Sequence, residues 1–82
     1  MQILIADDDP VMLQIVATLV EAVDKEADVV LARNATECLR TLWDRSIQFL
    51  LIDRYLPDRS GLDVIQEMDK MHLCIPTALM NG

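Results

Sequence analysis

Residues 50–61 read LLIDRYLPDRSG. Three apolar residues run straight into Asp53, a proline follows at position 57 and a glycine at 61. A buried strand seldom carries a carboxylate unless the acid is paired, holds a metal or serves chemistry. The segment reads as an apolar strand, QFLLID (48–53), whose last residue is an acid aimed out of the strand's end. The turn behind that acid leads into a helix, SGLDVIQEMDKM (60–71), opened by Ser60 with Asp63 three residues on. Gly61 reads here as a flexible residue at the helix start.

The same alternation extends in both directions. QILIA (2–6) is a short apolar run that stops at Asp7, Asp8 and Asp9. PVMLQIVATLVEAV (10–23) follows with helical spacing, its apolar stripe falling on Met12, Ile15/Val16, Leu19/Val20 and Val23. Asp9 reads as its cap and Pro10 as its first helical residue. DVVLA (28–32) is a second strand, and NATECLRTLWDR (34–45) is a second helix with Asn34 and Glu37 at capping-box spacing. Cys38, Leu39, Leu42 and Trp43 form its apolar stripe, with Trp43 expected as a partly buried anchor. IPTALM (75–80) is a fourth strand, reached through a solvated turn at His72.

The order βαβαβαβ with short connections predicts a parallel sheet built by right-handed crossovers. Fully apolar strands suit a sheet covered on both faces. In such sheets the functional crevice lies at the carboxyl ends of the strands. Asp7, Asp8, Asp53 and Asn81 all fall at that edge. If the first and third strands are neighbours, the three acids share one small volume. Two unit charges ~4 Å apart repel by about 4 kcal/mol near a protein surface, so the cluster calls for a cation. Oxygen-only ligands with room for water favour Mg²⁺ over Zn²⁺.

Bulk properties narrow the function classes. The chain has 82 residues, 52% of them hydrophobic, and a net charge of −7 from 14 acids and 7 bases. That balance disfavours direct binding to nucleic acid or to an anionic membrane surface. No apolar run approaches the ~20 residues that span a bilayer. The first ten residues lack the basic and apolar regions of a secretory leader. Cys38 and Cys74 have no metal-type spacing and read as half-buried thiols in a reducing, cytoplasmic setting.

ILIADDDP (3–10), LLIDRYLPDRSGLDVI (50–65) and, more loosely, IPTALMNG (75–82) resemble the receiver domain of two-component response regulators. The resemblance implies a flavodoxin-like, doubly wound α/β fold with strand order 2-1-3-4, in which the 82 residues form a single, partial domain cut after the fourth strand. It implies a phosphorelay role in which Asp53 accepts a phosphoryl group from a phosphohistidine. Asp7 and Asp8 would hold Mg²⁺ together with Asp53 and the backbone carbonyl of Tyr55. The partner would be a sensor histidine kinase or a histidine phosphotransfer protein, and the chain would not itself be an enzyme beyond accepting the group.

Two departures from the family pattern stand out. Asn81 occupies the place of the usual Ser or Thr, with Gly82 after it, and the usual lysine of a fifth strand has no counterpart. Lys25 and Lys70 lie on helix ends. An exposed fourth-strand edge predicts a homodimer or higher oligomer. The rival reading is a receiver-like interaction module that is never phosphorylated. A Mg²⁺-dependent phosphohydrolase with an Asp nucleophile is disfavoured, because Tyr55 stands where a second acid is needed.

Overall fold

The computed structural model describes residues 1–81; Gly82, the last residue of the third matching stretch, lies outside them. Seven elements follow one another: β1 (Gln2–Ala6), α1 (Pro10–Val23), β2 (Asp28–Ala32), α2 (Ala35–Asp44), β3 (Phe49–Asp53), α3 (Gly61–Lys70) and β4 (Thr77–Met80). The strands form one parallel sheet in the order β2-β1-β3-β4. This is the doubly wound, flavodoxin-like arrangement that the resemblance to receiver domains implies. In register, Ala6 lies beside Ala32 and Ile52, and Asp53 lies beside Met80.

Alternate strand residues feed two separate cores. Leu4, Ala6, Leu50 and Ile52 face α2 and α3, meeting Ala35, Cys38, Leu42, Val64 and Met68. Ile3 and Ile5 face α1 and meet Leu13 and Ala17. Both faces of β1 are therefore dry, which is why QILIA shows no polar alternation. Coverage is uneven on β3. Leu50 and Ile52, under the two-helix layer, are fully buried, whereas Phe49 and Leu51 on the other face are only half-buried. The cause is that α1 packs mainly on β1 and β2. All four residues of β4 are half-buried.

Local chemistry sets the helix ends. Asp9 accepts a hydrogen bond from the Val11 amide at 2.9 Å ahead of Pro10. Asn34 accepts from Glu37 N at 2.7 Å, and Glu37 reaches back to accept from Arg33 N at 2.8 Å, one residue short of the reciprocal bond of a full capping box. Ser60 accepts from Asp63 N at 3.1 Å. At the far end of α3, Leu73 N donates to Met68 O and His72 N donates to Asp69 O, the two bonds of a Schellman cap. His72 holds the left-handed position of that cap, with φ 58°.

Four expectations need correction. The seam of α1 runs through Leu13 and Ala17, flanked by half-buried Met12, Val16 and Val20, while Ile15, Leu19 and Val23 are exposed. A helix apolar on nearly all sides does not announce which stripe it buries. Trp43 is 73% exposed and anchors nothing, because Cys38 and Leu42 already fill the seam beneath α2. The thiols are not alike: Cys38 is fully buried and Cys74 exposed. The fourth strand starts at Thr77, since Pro76 has no amide to donate, although its carbonyl accepts from Leu50 N.

The left-handed backbone of His72 is a local cost that glycine would not bear. His72→Gly is expected to stabilise the fold by about 0.5–1 kcal/mol, the relief of the left-handed strain less the added freedom of the unfolded chain. Urea unfolding of the two chains, read at equal m-value, checks this.

Candidate functional site: an acidic pocket at the carboxyl edge of the sheet

The ends of β1 and β3 bring the predicted acids together. One carboxylate oxygen from each of Asp7, Asp8 and Asp53 lies within 4.8 Å of the others. Asp7 and Asp53 are buried, at 4% and 6% exposure, and Asp8 is exposed. They line a cavity of about 290 Å³ together with Asp9, Met12 and Tyr55. Met12, expected only as packing, forms part of the wall of this pocket.

Backbone bonds hold each acid in place. The Asp7 amide donates to Ala32 O at 3.0 Å, extending the β1–β2 ladder by one step, and its carboxylate accepts from Asp9 N at 3.0 Å. Asp53 accepts from Tyr55 N at 3.1 Å, which turns the chain sharply after the strand. Beyond that turn, Tyr55 and Ser60 form an isolated antiparallel bridge and Gly61 N donates to Arg54 O at 2.8 Å. Gly61 is not a flexible joint, as its sequence context suggested. A Cβ there would collide with the Asp53 carbonyl oxygen and press on Arg54 Cα and Leu79 Cδ1. The helix start abuts the backbone of Asp53, and only glycine allows the approach.

The electrostatics are those of an unneutralised cluster. Burial, reinforced by the neighbouring Asp53 and Asp8 charges, pushes the Asp7 carboxyl above its ordinary 3.8, against the opposing pull of the Asp9 amide. Among the described residues the one ion pair joins Arg59 to Glu67 at 3.5 Å, so no lysine or arginine offsets the three acids. The Arg54 guanidinium instead sits over the exposed Tyr55 ring, 5.9 Å from its centroid. An all-oxygen donor set with one open, exposed side fits a hard divalent cation such as Mg²⁺.

The remaining sequence candidates fall as follows. Tyr55 lines the pocket and its amide is bonded to Asp53, while the residue as a whole is largely exposed. Asn81 is exposed one residue beyond β4, at the same sheet edge, and is not among the residues lining the pocket. Cys38 is unreactive, since burial, and secondarily the Asp58 charge, push its thiol up to about 12. Asp58, which the sequence did not single out, accepts three hydrogen bonds from α2 and lies well below its ordinary range, at about 2. No helix among the described residues is long and apolar enough to cross a membrane.

The sheet and its helices have the α/β fold of CheY-like receiver domains. The chain belongs to the response regulator receiver domain family of two-component systems, whose model matches residues 3–81. It is 28% identical over 72 residues to response regulator RR06 of Streptococcus pneumoniae, covering 88% of this chain and 32% of that protein. It is 32% identical over 71 residues to the transcriptional regulatory protein CpxR of Klebsiella pneumoniae, covering 87% of this chain and 29% of that one. The chain thus spans less than a third of the length of the curated relatives it matches. Among solved structures, the MaeR response regulator bound to beryllium trifluoride superposes with a TM-score of 0.92 at 26% identity, covering 99% of this chain and 66% of that one. A CheY-like receiver domain protein from Methanospirillum hungatei gives 0.89, also at 26% identity, over 99% of this chain and 63% of that one.

The charge arrangement fixes a pH dependence. Asp7 binds its proton more tightly folded than unfolded, so its penalty is full above its raised value and is relieved as pH falls through that value toward 3.8. Asp58 acts oppositely: its contribution is present above 3.8 and lost as pH falls toward about 2. In chelator and without added cation, denaturant unfolding is expected to show stability rising as pH falls toward 3.8 and falling again as pH drops toward about 2. Asp7→Asn should flatten the rise and leave the later fall.

Proposed function

We propose that the chain is a Mg²⁺-dependent phosphoacceptor of a phosphorelay, with Asp53 receiving the phosphoryl group from a histidine kinase or histidine phosphotransfer protein. The observation that carries this reading is the convergence of three carboxylates, two of them buried, on one small pocket that lacks a basic neighbour. That MaeR binds beryllium trifluoride supports a pocket suited to a small anionic group.

In this reading Asp7 and Asp8 hold the cation with Asp53 and the Tyr55 carbonyl. The bound cation supplies charge neutralisation for the incoming phosphoryl oxygens. The chain's own work is positioning. The Tyr55 amide, bonded to one carboxylate oxygen of Asp53, fixes the rotamer and leaves the second oxygen to attack phosphorus. A P–O bond forms as the P–N bond of the phosphohistidine breaks, and the departing imidazole takes up a proton. Gly61 keeps the Asp53 backbone where the strand delivers it. Asn81, one residue past the partner of Asp53 in β4, offers an amide donor at the phosphoryl-facing edge in place of a hydroxyl. Apart from accepting the group, the chain has no catalytic task of its own.

The half-buried β4 and the absence of Asn81 from the pocket lining favour a second reading, an interaction module that pairs through the β4 edge into a homo-oligomer and is not phosphorylated. One experiment separates the two. The chain is incubated with Mg²⁺ and a small-molecule phosphodonor, then weighed intact. The first reading predicts a mass gain of one phosphoryl group that chelator and Asp53→Asn both abolish. No gain, with light scattering reporting a stable dimer, supports the second.

A further inference from the structure

Asp58 lies midway along the connection from β3 to α3, yet its carboxylate is spent entirely on a different helix. Oδ1 accepts from Ala35 N at 2.8 Å, and Oδ2 accepts from Thr36 N at 3.0 Å and Thr36 Oγ1 at 2.8 Å. Asn34, the local cap, serves only Glu37 N. The first turn of α2 is therefore capped by two side chains, one of them 22 residues further along the chain. A carboxylate on two backbone amides at a helix N-terminus is a charge-assisted, two-pronged contact.

The same connection carries Tyr55, which lines the acidic pocket and whose amide is bonded to the Asp53 carboxylate. It is fastened at both flanks. Its near end is tied by the Asp53–Tyr55 bond and by Leu56, which is buried in the cluster that contains Ala35 and Cys38. Its far end is closed by the Tyr55–Ser60 bridge. On the other side of the pocket, Asp7 N is bonded to Ala32 O, three residues before Ala35. Asp58 thereby closes a ring of contacts that runs from β1 through the start of α2 to the loop behind Asp53.

We infer that Asp58 is a positioning residue for the acidic pocket, holding the 54–60 connection against α2 so that the Tyr55 carbonyl faces Asp7, Asp8 and Asp53. This inference rests on the cation-binding reading above and adds to it a residue that touches neither cation nor phosphoryl group.

The test compares two caps of one helix. Asn34→Ala removes the cap that is not attached to the pocket loop; Asp58→Ala removes the one that is. Mg²⁺ dissociation constants are taken from amide chemical-shift titrations of the full chain, and melting temperatures are read without the cation. Both variants are expected to melt below the parent chain. Asp58→Ala alone should weaken Mg²⁺ binding, by about tenfold, the lower end for a group that orients a metal ligand. Thr36→Val, which deletes one of the three bonds, and Asp58→Asn should each give an intermediate loss and stand in if Asp58→Ala does not fold. Equal Mg²⁺ affinity across the Asn34 and Asp58 variants, with the parent chain binding normally, overturns the positioning role alone. A parent chain that shows no saturable Mg²⁺ response overturns the cation reading and this inference with it.

Discussion

Mutual repulsion among Asp7, Asp8 and Asp53 is the constraint around which the molecule is arranged. A small parallel sheet gains its stability from apolar strands buried on both faces, and Leu4, Ile5, Leu50 and Ile52 supply that here. The same strands end on carboxylates that are crowded, largely dry and without a basic partner. Burying acids this way costs stability unless something offsets it. The backbone offsets part, through the amides of Asp9 and Tyr55, and in the reading proposed above a cation would offset the rest.

Around that cluster the fold spends unusual local chemistry. Gly61 exists for close approach to Asp53, not for conformational freedom, and its φ is not positive. Asp58 reaches from the connection behind Asp53 to the first turn of α2 and ties the two together. By contrast, the distant end of α3 closes with a common Schellman cap in which even a histidine is tolerated at the left-handed position. Specific residues concentrate where charge must be placed, and ordinary turn chemistry suffices elsewhere.

Much of this was legible in the chain itself. The alternation of apolar runs with helical spacing gave the element order, and each helix start matched its cap residue: Asp9, Asn34 and Ser60. Acids at the ends of two strands point to the carboxyl edge of the sheet, but crossover handedness does not fix strand order, so their meeting in one pocket is implied only by the resemblance to receiver domains. What stayed hidden depends on three-dimensional proximity. The buried stripe of α1 cannot be read from the sequence because the helix is apolar nearly all round. The exposure of Trp43 is not legible either, because side-chain size says nothing about depth. The roles of Gly61 and Asp58 depend on groups eight and more than twenty residues away. Gly61 did leave one signal, a poor helix former at the first position of a well-capped helix; Asp58 left none.

The central claim is that a cation relieves the crowding of these three acids, and the most direct measurement is the melting temperature as a function of Mg²⁺. The account predicts a saturable rise in the parent chain and none in Asp8→Ala, whose exposed ligand is removed without disturbing the buried pair. A melting temperature that ignores Mg²⁺, or that rises equally in both chains, would contradict it.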